Sequence, residues 1–455
     1  MDELYLTLSP EPLIGKEEFE RFYRGEINAV RGEDTVARLS RKLQQAYGAV
    51  PLKTFVMGHS GVGKSTELTK LLFRVAAQHR GVRLSIAREL NPASFKIFDV
   101  LLLMMIRLAE ASNELHPALM ASFMSTSLLG DLQDWFGDDV VKRSVSRATT
   151  AQAEAGAGIK GGSPWASLLG LFASVKADIK YAADRKAESI EYRLKRLPDL
   201  IGLCNRVIEI CSRALKEREH KEWLLVVEDL DKATISPQQL QDLFTQYGTV
   251  FPELRVSIIF TIPVWLGYSS ESVRLPFGKH LIHDTPVFDQ QHGAHEQGRR
   301  VVARVLEARV SPELFEDDLM ARLIVASGGN LRDLFFLVQD AGESALVRND
   351  NARSIAQENA AAAINKMRSE YRMRLGQSPY DQFPITYEDK LKKLLAVYQG
   401  APDSEIPDPT LYSLLRARAI QEFNGKVWFG VHPLVVDILK EQGHLDSDAP
   451  GGSNS

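Results

Sequence analysis

The sequence of 455 residues predicts an α/β protein, in which helices cover both faces of a parallel sheet. Two observations predict this class. Short apolar runs, most of them without the alternation of a half-buried strand, are separated by stretches with helical spacing. A glycine-rich segment also stands between the first apolar run and a helical stretch. The runs that we interpret as strands are residues 54–57, 82–86, 224–231, 256–263 and 280–288.

The glycine-rich segment fits the phosphate-binding pattern G-x-x-x-x-G-K-[ST] without a mismatch. It consists of Gly58, His59, Ser60, Gly61, Val62, Gly63, Lys64, Ser65 and Thr66. Glycines let the backbone wrap around phosphates, because a Cβ would block the approach. Lys64 is expected to contact the β and γ phosphates, and Ser65 to complete a Mg²⁺ shell. The segment therefore predicts a site for ATP and Mg²⁺.

A cluster of carboxylates ends the apolar run that begins at residue 224. Glu228 and Asp229 come directly after four apolar residues. ATP hydrolysis on a phosphate loop needs one acid that holds Mg²⁺ and a neighbour that orients or deprotonates the attacking water. By position we assign the metal to Glu228 and the water to Asp229. A shift of one position would exchange these roles.

Two further residues are candidates for sensing the nucleotide. Thr261 stands at the end of the next apolar run, where its hydroxyl would face the γ-phosphate, although threonine also simply favours strands. Gly328-Gly329 precedes a predicted helix and places Arg332 in its first turn. From there Arg332 would reach back to the nucleotide. The alternative is a surface arginine after a turn.

The composition excludes some function classes. A net charge of −4 gives no global field that would draw the chain to nucleic acid or acidic lipid. Cys204 and Cys211 lie seven apart on a predicted helix, so we expect buried thiols in a reducing compartment. The N-terminus lacks a signal-peptide pattern, and no apolar run has the length of a membrane helix. These features predict a cytoplasmic protein.

The chain divides into regions by pattern. We predict a leader at 1–50, a core at 51–295 with an insertion at 113–190, a helical lid at 296–375, a winged-helix-like domain at 386–441 and a disordered tail at 442–455. The insertion contains a candidate β-hairpin at 151–185, because two alternating segments flank an apolar stretch. We interpret this hairpin as an oligomerisation element or a mobile loop in preference to a membrane-inserting one.

The C-terminal region predicts a winged helix from its order of helix, helix, hairpin and helix. Asn424-Gly425 between alternating flanks is the hairpin signal. The basic residues Arg416, Arg418 and Lys426 form only a thin cationic face beside several acids. Protein contact or autoinhibition is therefore favoured over DNA binding for this region.

The order of these segments resembles the AAA+ and STAND P-loop ATPases, and among them the origin-recognition-like and KAP-like branches. The similar segments are 58–66 (Walker A), 224–231 (Walker B), 258–263 (sensor 1) and 328–334 (sensor 2). The resemblance implies a P-loop NTPase sheet with a helical lid and a C-terminal winged helix. It does not extend to residues 113–190. An arginine finger is not assigned, and Arg274, Arg299 and Arg300 are candidates by region alone.

The resemblance also implies an activity. ATP binding and slow hydrolysis would drive a conformational switch that is coupled to self-assembly as a homo-oligomer and to a protein partner, and bacterial proteins of this kind often act in antiviral defence. The alternative is a DNA-associated ATPase of the origin-recognition type that uses its winged helix. A remote alternative is a membrane-acting effector that uses the hairpin at 151–185.

Overall fold

The structure is a computed structural model, and it describes residues 4–136, 164–181, 187–232, 234–381, 383–423 and 428–446. Some predictions fall outside these ranges. They concern the first alternating segment at 151–160, the Asn424-Gly425 turn with Lys426, and the predicted tail beyond residue 446.

A five-stranded parallel sheet forms the centre of the molecule and confirms the predicted α/β class. Its strands are β1 (Lys53–Met57), β2 (His79–Ser85), β3 (Glu222–Glu228), β4 (Ser257–Ile262) and β5 (Lys279–Leu281). They lie in the order β2-β3-β4-β1-β5, and every pairing is parallel. Strand β4 is buried at each of its residues. This burial explains why its sequence is apolar without alternation.

The chain before β1 forms a set of helices that pack on the core. They are α1 (Leu4–Thr7), α2 (Lys16–Phe22), α3 (Ile27–Val30) and α4 (Thr35–Ala46). Val36, Leu39 and Leu43 of α4 belong to the same buried cluster as Leu68 and Leu71, which follow the phosphate loop. The leader is thus an integral part of one face of the sheet.

Helices on both faces of the sheet complete the core. They are α5 (Lys64–Val75), α6 (Ile86–Glu89), α7 (Ile97–Leu115), α8 (Pro117–Phe123), α9 (Thr126–Phe136), α10 (Pro164–Tyr181), α11 (Ala187–Lys195), α12 (Leu197–Glu219), α13 (Pro237–Gln241) and α14 (Val264–Tyr268). Helix α7 is buried over most of its surface and packs against α10 and α12. This explains its nearly continuous apolar sequence.

The predicted β-hairpin at 151–185 is wrong in the part that the structure describes, because residues 164–181 form helix α10. The buried apolar side chains of α10 lie on one helical face, at spacings of three and four residues; they are Trp165, Leu168, Leu171, Phe172, Val175 and Ile179. Residues four apart satisfy both a helical period and a strand period over a short window. The alternation that begins at Val175 was therefore ambiguous, and the longer pattern decides for the helix.

The lid region is helical, as the periodicity predicts. Its helices are α15 (Glu296–Glu307), α16 (Leu319–Ala326), α17 (Leu331–Arg348) and α18 (Gln357–Arg374). Helix α17 begins after Gly328 and Gly329, which both have positive φ angles, and its N-cap Asn330 accepts a hydrogen bond from the Asp333 amide. The glycines turn the chain so that the start of α17 points at the phosphate loop.

The C-terminal region contains α19 (Tyr387–Tyr398), α20 (Pro409–Ala417), β6 (Ile420–Phe423), β7 (Trp428–Val431) and α21 (Pro433–Glu441). Strands β6 and β7 pair antiparallel on either side of the predicted turn. The order of helix, helix, strand pair and helix is the predicted one, and the assignment of this region to the winged-helix class stays a prediction.

Both cysteines lie on α12 and are buried free thiols, as the sequence predicts. Burial raises the pKa of Cys204 and of Cys211 to about 12, which keeps both thiols protonated and unreactive at neutral pH. Within the residues that the structure describes, no helix combines the length and apolar character needed to cross a bilayer.

Candidate nucleotide-binding site

The phosphate loop connects β1 to α5 in the predicted arrangement. Gly63 is the N-cap of α5 and has a left-handed backbone with φ of 97°, which a residue with a Cβ rarely adopts. Gly61 has φ of 88° and lies against the side chain of Asn330, so that a Cβ there would clash. The loop is therefore shaped both by its own turns and by the close approach of the lid.

Lys64 is folded into the loop. Its Nζ donates to the carbonyl oxygens of Gly58 and His59, both at 2.9 Å, and lies 2.7 Å from Asp231 Oδ2. Only 6% of the residue is exposed. Burial alone would raise the pKa of Asp231, but the charge and hydrogen bond of Lys64 outweigh it and lower that pKa. Asp231, which the sequence argument had assigned no role, is thus the acid that meets the loop lysine.

Glu228 is bound by an arginine from the neighbouring strand. Arg83 of β2 donates from Nε to Glu228 Oε2 at 2.6 Å and from Nη2 to Oε1 at 2.9 Å. The same guanidinium donates to the carbonyl oxygen of Ser65 and to the Thr69 hydroxyl. The ion pair ties the end of β3 to α5. The positive charge of Arg83 also offsets the negative charge of Glu228, the residue predicted to bind Mg²⁺.

Asp229, like Glu228, contacts strand β2, whereas Asp231 contacts Lys64. Its backbone is left-handed with φ of 67°, an uncommon conformation that costs about 1–3 kcal/mol and is concentrated at functional sites. Its carboxylate accepts a hydrogen bond from the Ser85 hydroxyl and lies 3.5 Å from Lys232 Nζ. The turn sends Asp229 toward β2 and Asp231 toward Lys64, so the two acids serve different neighbours.

Thr261 is located within the sheet rather than at its edge. It pairs with Val56 in the β1–β4 register, one residue before both strands end. The residue is 1% exposed, and its hydroxyl has no hydrogen-bond partner among the described residues. Thr261 also does not line the cavity beside the phosphate loop that is described below. This placement does not bring Thr261 to the site, and its role as a sensor stays a prediction.

Arg332 reaches the phosphate loop from the lid, and its predicted contact with nucleotide stays a prediction. Its Nη1 donates to the Ser60 hydroxyl at 2.6 Å, and the neighbouring Asn330 side chain donates to the Ser60 carbonyl oxygen at 2.9 Å. The C-terminal region reaches the same carbonyl, since Arg418 Nη1 lies 3.3 Å from it. Ser60 is therefore contacted by both regions that follow the core.

A cavity of about 630 Å³ runs along the loop, a size typical of small-molecule sites. One end, which we call the phosphate end, is formed by loop residues and the acids at the end of β3. The other, the apolar end, is formed by Phe22, Ile27, Val305 and Phe335. Arg309 lies over the rings of both Phe22 and Phe335, with 5.0 Å and 4.8 Å to the ring centroids.

The leader supplies Phe22 and Ile27 to this apolar end, two residues that no pattern in the sequence singled out. It is fixed to the loop and to α5 by polar contacts. The Tyr23 hydroxyl donates to Glu67 Oε1 at 3.0 Å, the Leu13 amide to the Thr66 hydroxyl at 3.4 Å, and Arg31 Nη2 to the Val62 carbonyl at 2.8 Å. Burial, with the charge of Glu67, raises the pKa of Tyr23, which stays a neutral donor.

The arginine-finger candidates do not line this cavity. Arg299 donates from Nε to the Val287 carbonyl oxygen at 2.7 Å, and Arg274 forms an exposed ion pair with Glu271. Arg300 is exposed on α15. An action of any of them on a neighbouring subunit stays a prediction.

Comparisons with known proteins find similar folds only. No protein-family model matches the chain, and no curated protein matches it. Similar solved structures include Cdc6p from Pyrobaculum aerophilum, with a TM-score of 0.39, 10% identity and coverage of 96% of this chain and 98% of that one. The Walker-type ATPase paby2304 of Pyrococcus abyssi matches with a TM-score of 0.40 and 14% identity, and the match covers 95% of this chain and 99% of that one.

The RuvB Holliday junction branch migration motor of Thermotoga maritima gives a TM-score of 0.33 and 11% identity, with coverage of 98% of this chain and 100% of that one. Likeness at this level carries no functional argument. We therefore argue function from the site.

Proposed function

We propose that this protein binds ATP with Mg²⁺ in the cavity along the phosphate loop and hydrolyses it. The observation that supports this most is the position of Lys64. A buried cation at the start of a helix, inside a glycine-rich turn, lies beside a cavity that has one charged and one apolar end. That combination suits a ligand with a polyphosphate and an aromatic ring.

The ligand would lie with its phosphates on the loop amides and its ring at the apolar end. Lys64 would exchange part of its contact with Asp231 for the β and γ phosphates. The ring would lie among Phe22, Ile27 and Phe335, which come from the leader and the lid. Because the leader and the lid would both contact the ring, the positions of these two regions would depend on whether nucleotide is bound.

Mg²⁺ would be held by the Ser65 hydroxyl and, directly or through water, by Glu228 or Asp229. The described residues contain no cluster of three or more potential protein ligands. Mg²⁺ usually keeps several waters and takes phosphate oxygens as ligands, so one or two protein ligands would hold it here. The ion would neutralise the charge of the phosphates. The carboxylate of Asp229 would orient the attacking water or accept its proton.

We further propose that nucleotide state is passed to the rest of the chain through Ser60. Arg332 and Asn330 of the lid and Arg418 of the C-terminal region all contact this residue. Arg418 Nη2 also lies 3.0 Å from Asp333 Oδ1, which joins the C-terminal region to the first turn of α17. A switch of this kind would control self-assembly as a homo-oligomer and contact with a protein partner. Its use in antiviral defence stays a hypothesis.

The DNA-binding alternative has less support. Two of the three basic residues on which it depends face inward, since Arg416 pairs with Asp381 and Arg418 with Asp333. Half-buried arginines that are paired with carboxylates present little net charge to a phosphate backbone. Measuring DNA affinity over a series of salt concentrations distinguishes the two functions, because DNA binding would weaken steeply with salt and strengthen with ATP. We expect no such response.

Titration calorimetry tests the proposed site. Wild-type protein should bind Mg-ATP, and Lys64→Ala should lower the affinity by roughly a hundredfold or more, because charge-assisted hydrogen bonds contribute about 1.5–3 kcal/mol each. Lys70→Ala is the matched control on the same helix, since Lys70 faces Asp34 at 3.5 Å. Equal affinity of the Lys64→Ala variant and the wild type would refute the site.

A further inference from the structure

A second cavity of about 490 Å³ lies at the other end of the phosphate loop. It is bounded by Gly58, His59 and Ser60 of the loop and by the core segment 230–240. The end of the lid and the start of the C-terminal region close it. The two cavities share Asp231, Lys232 and Arg332. The second cavity is therefore a separate recess that borders the proposed nucleotide site.

The wall of this second cavity is strongly basic. Its cationic side chains are Lys232, Arg332, Arg374, Arg416 and Arg418. Among the described residues that line it, the only acid is Asp231, and that acid is paired with Lys64. Lys232 lies 3.5 Å from Asp229, and Arg416 and Arg418 also pair with carboxylates, so the positive charge offered to a ligand rests mainly on Arg332 and Arg374. Positive charge in a recess attracts anions, because low-dielectric walls strengthen its field.

Some of these cations have little compensation in the protein. Arg416 and Arg418 pair with Asp381 and Asp333. In the described part of the chain, the guanidinium of Arg332 donates a hydrogen bond to the Ser60 hydroxyl and forms no ion pair with a carboxylate within 4.0 Å. Arg374 lies 3.5 Å from Glu370 and over the Tyr371 ring, with 4.6 Å to the ring centroid.

The opposite wall of the second cavity is apolar. Leu240, Val264 and Trp265 line it, and each is buried. Arg374 lines the recess, so an anion bound there would meet its guanidinium group. An apolar wall that faces a basic wall fits a ligand with a charged end and a ring. The volume of the cavity is in the range of nucleotide-sized ligands.

We propose that this second cavity binds a small organic phosphate of about nucleotide size. The phosphates would lie on Arg332 and Arg374, and the ring would lie on the wall that contains Trp265. Because Arg332 lines both cavities, occupancy of the second cavity would alter the contact of Arg332 with Ser60. This coupling rests on the proposed function of the first cavity, whereas the binding itself does not.

Calorimetry on the full chain tests the proposal. The protein is first saturated with Mg-ADP to occupy the first cavity, and inorganic pyrophosphate and uridine diphosphate are then titrated separately. Both should bind, with uridine diphosphate roughly tenfold tighter, because only it has a ring for the apolar wall. If the two bind equally, the ring contact is refuted. If neither binds, the site is refuted.

Variants locate the binding. Arg374→Gln should weaken both probes by roughly tenfold. Gln377→Glu, at an exposed residue that lines the same cavity, should also weaken binding of both probes, because it adds negative charge. Arg372→Gln is the control, since Arg372 is exposed and pairs with Glu441. Affinities that stay at wild-type values in Arg374→Gln and Gln377→Glu would overturn the proposal.

Two outcomes separate this proposal from others. If Mg-ADP itself fails to bind, the same titrations on Lys64→Ala protein still test the second cavity alone. If only a single-stranded oligonucleotide binds, and the Arg374→Gln variant loses that binding, the basic wall contacts a nucleic-acid backbone and the small-ligand proposal is wrong.

Discussion

The two ends of the nucleotide cavity are built in different ways. The phosphate end comes from one continuous segment of the loop, residues 61–66, and from the acids at the end of strand β3, which is separated from β1 by β4. The apolar end is assembled from Phe22 and Ile27 of the leader and from Val305 and Phe335 of the lid. Contacts to phosphate need a fixed local geometry, whereas a ring needs only apolar surface from any direction. The first requirement leaves a pattern in the sequence, and the second does not.

The largest effect on turnover is expected at the phosphate end. Asp229→Asn should lower the rate of ATP hydrolysis by roughly a hundredfold, because an amide does not accept a proton from water. Affinity for Mg-ATP should stay within about threefold of wild type. Phosphate release and calorimetry on the same samples measure both quantities.

Neighbouring acids provide the controls for this experiment. Glu228→Gln should chiefly raise the Mg²⁺ concentration needed for half-maximal activity. If the phenotypes of Glu228→Gln and Asp229→Asn are reversed, the two roles exchange. If Asp231→Asn alone stops turnover, the acid that pairs with Lys64 is the one that acts on water, and our assignment of Asp229 is wrong.

The apolar end gives a test that separates ring binding from phosphate binding. Phe335→Ala should lower affinity for Mg-ATP by about tenfold through lost apolar contact, while affinity for pyrophosphate at the loop stays unchanged. Phe336→Ala is a matched control, because Phe336 is 40% exposed and Phe335 is 6% exposed. Equal losses for ATP and pyrophosphate would place Phe335 at the phosphate end and contradict the proposed orientation.

These two ends also show how far the sequence could predict the structure. The parallel sheet and the position of the loop between β1 and α5 follow from local patterns and are confirmed. Arg332 lies beside the loop, and its predicted contact with nucleotide stays a prediction. The partner of Lys64 does not follow, because the left-handed backbone at Asp229 decides where each acid points. Helix α10 was misread because Val175 and Ile179 fit both periods. The role of the leader depends on contacts between residues far apart in sequence, which no local pattern records.

A smaller effect is expected where the lid meets the loop. Arg332→Ala should lower turnover by about tenfold with little loss of stability, because α17 does not need the guanidinium for its buried face. Arg348→Ala is the control at the far end of the same helix, where Arg348 pairs with Glu358 on the surface. If turnover and nucleotide affinity are unchanged in Arg332→Ala, Arg332 has no role in hydrolysis or in nucleotide binding, and its contact with Ser60 is only structural.

The smallest effect concerns pH and the junction of the C-terminal region with the lid. Burial lowers the pKa of His432 from 6.5 to about 4, and its ring stacks on Tyr371. The unfolded chain therefore takes up a proton before the folded one does. His432 therefore contributes its full share to the free energy of unfolding above pH 6.5. This share falls as the pH drops toward 4, by at most about 1.4 kcal/mol per pH unit.

Denaturant titrations at pH 7.5 and pH 5.5 measure this effect. His432→Phe keeps the stacking on Tyr371 and should show a smaller loss of stability between the two values than wild type. Some dependence should remain, because burial and the charges of Lys42 and Arg38 also lower the pKa of His280 to about 4. An unchanged difference in the variant would show that His432 is not the titrating group.

The central claim is that the phosphate loop supports hydrolysis of ATP. Steady-state release of phosphate from Mg-ATP by the purified full chain tests it most directly, with the Lys64→Ala variant as the background control. We predict that wild type releases phosphate at a rate well above that of the variant, and that removal of Mg²⁺ by a chelator abolishes the difference. Equal rates of wild type and Lys64→Ala, under conditions where wild type binds Mg-ATP, would contradict the proposed activity.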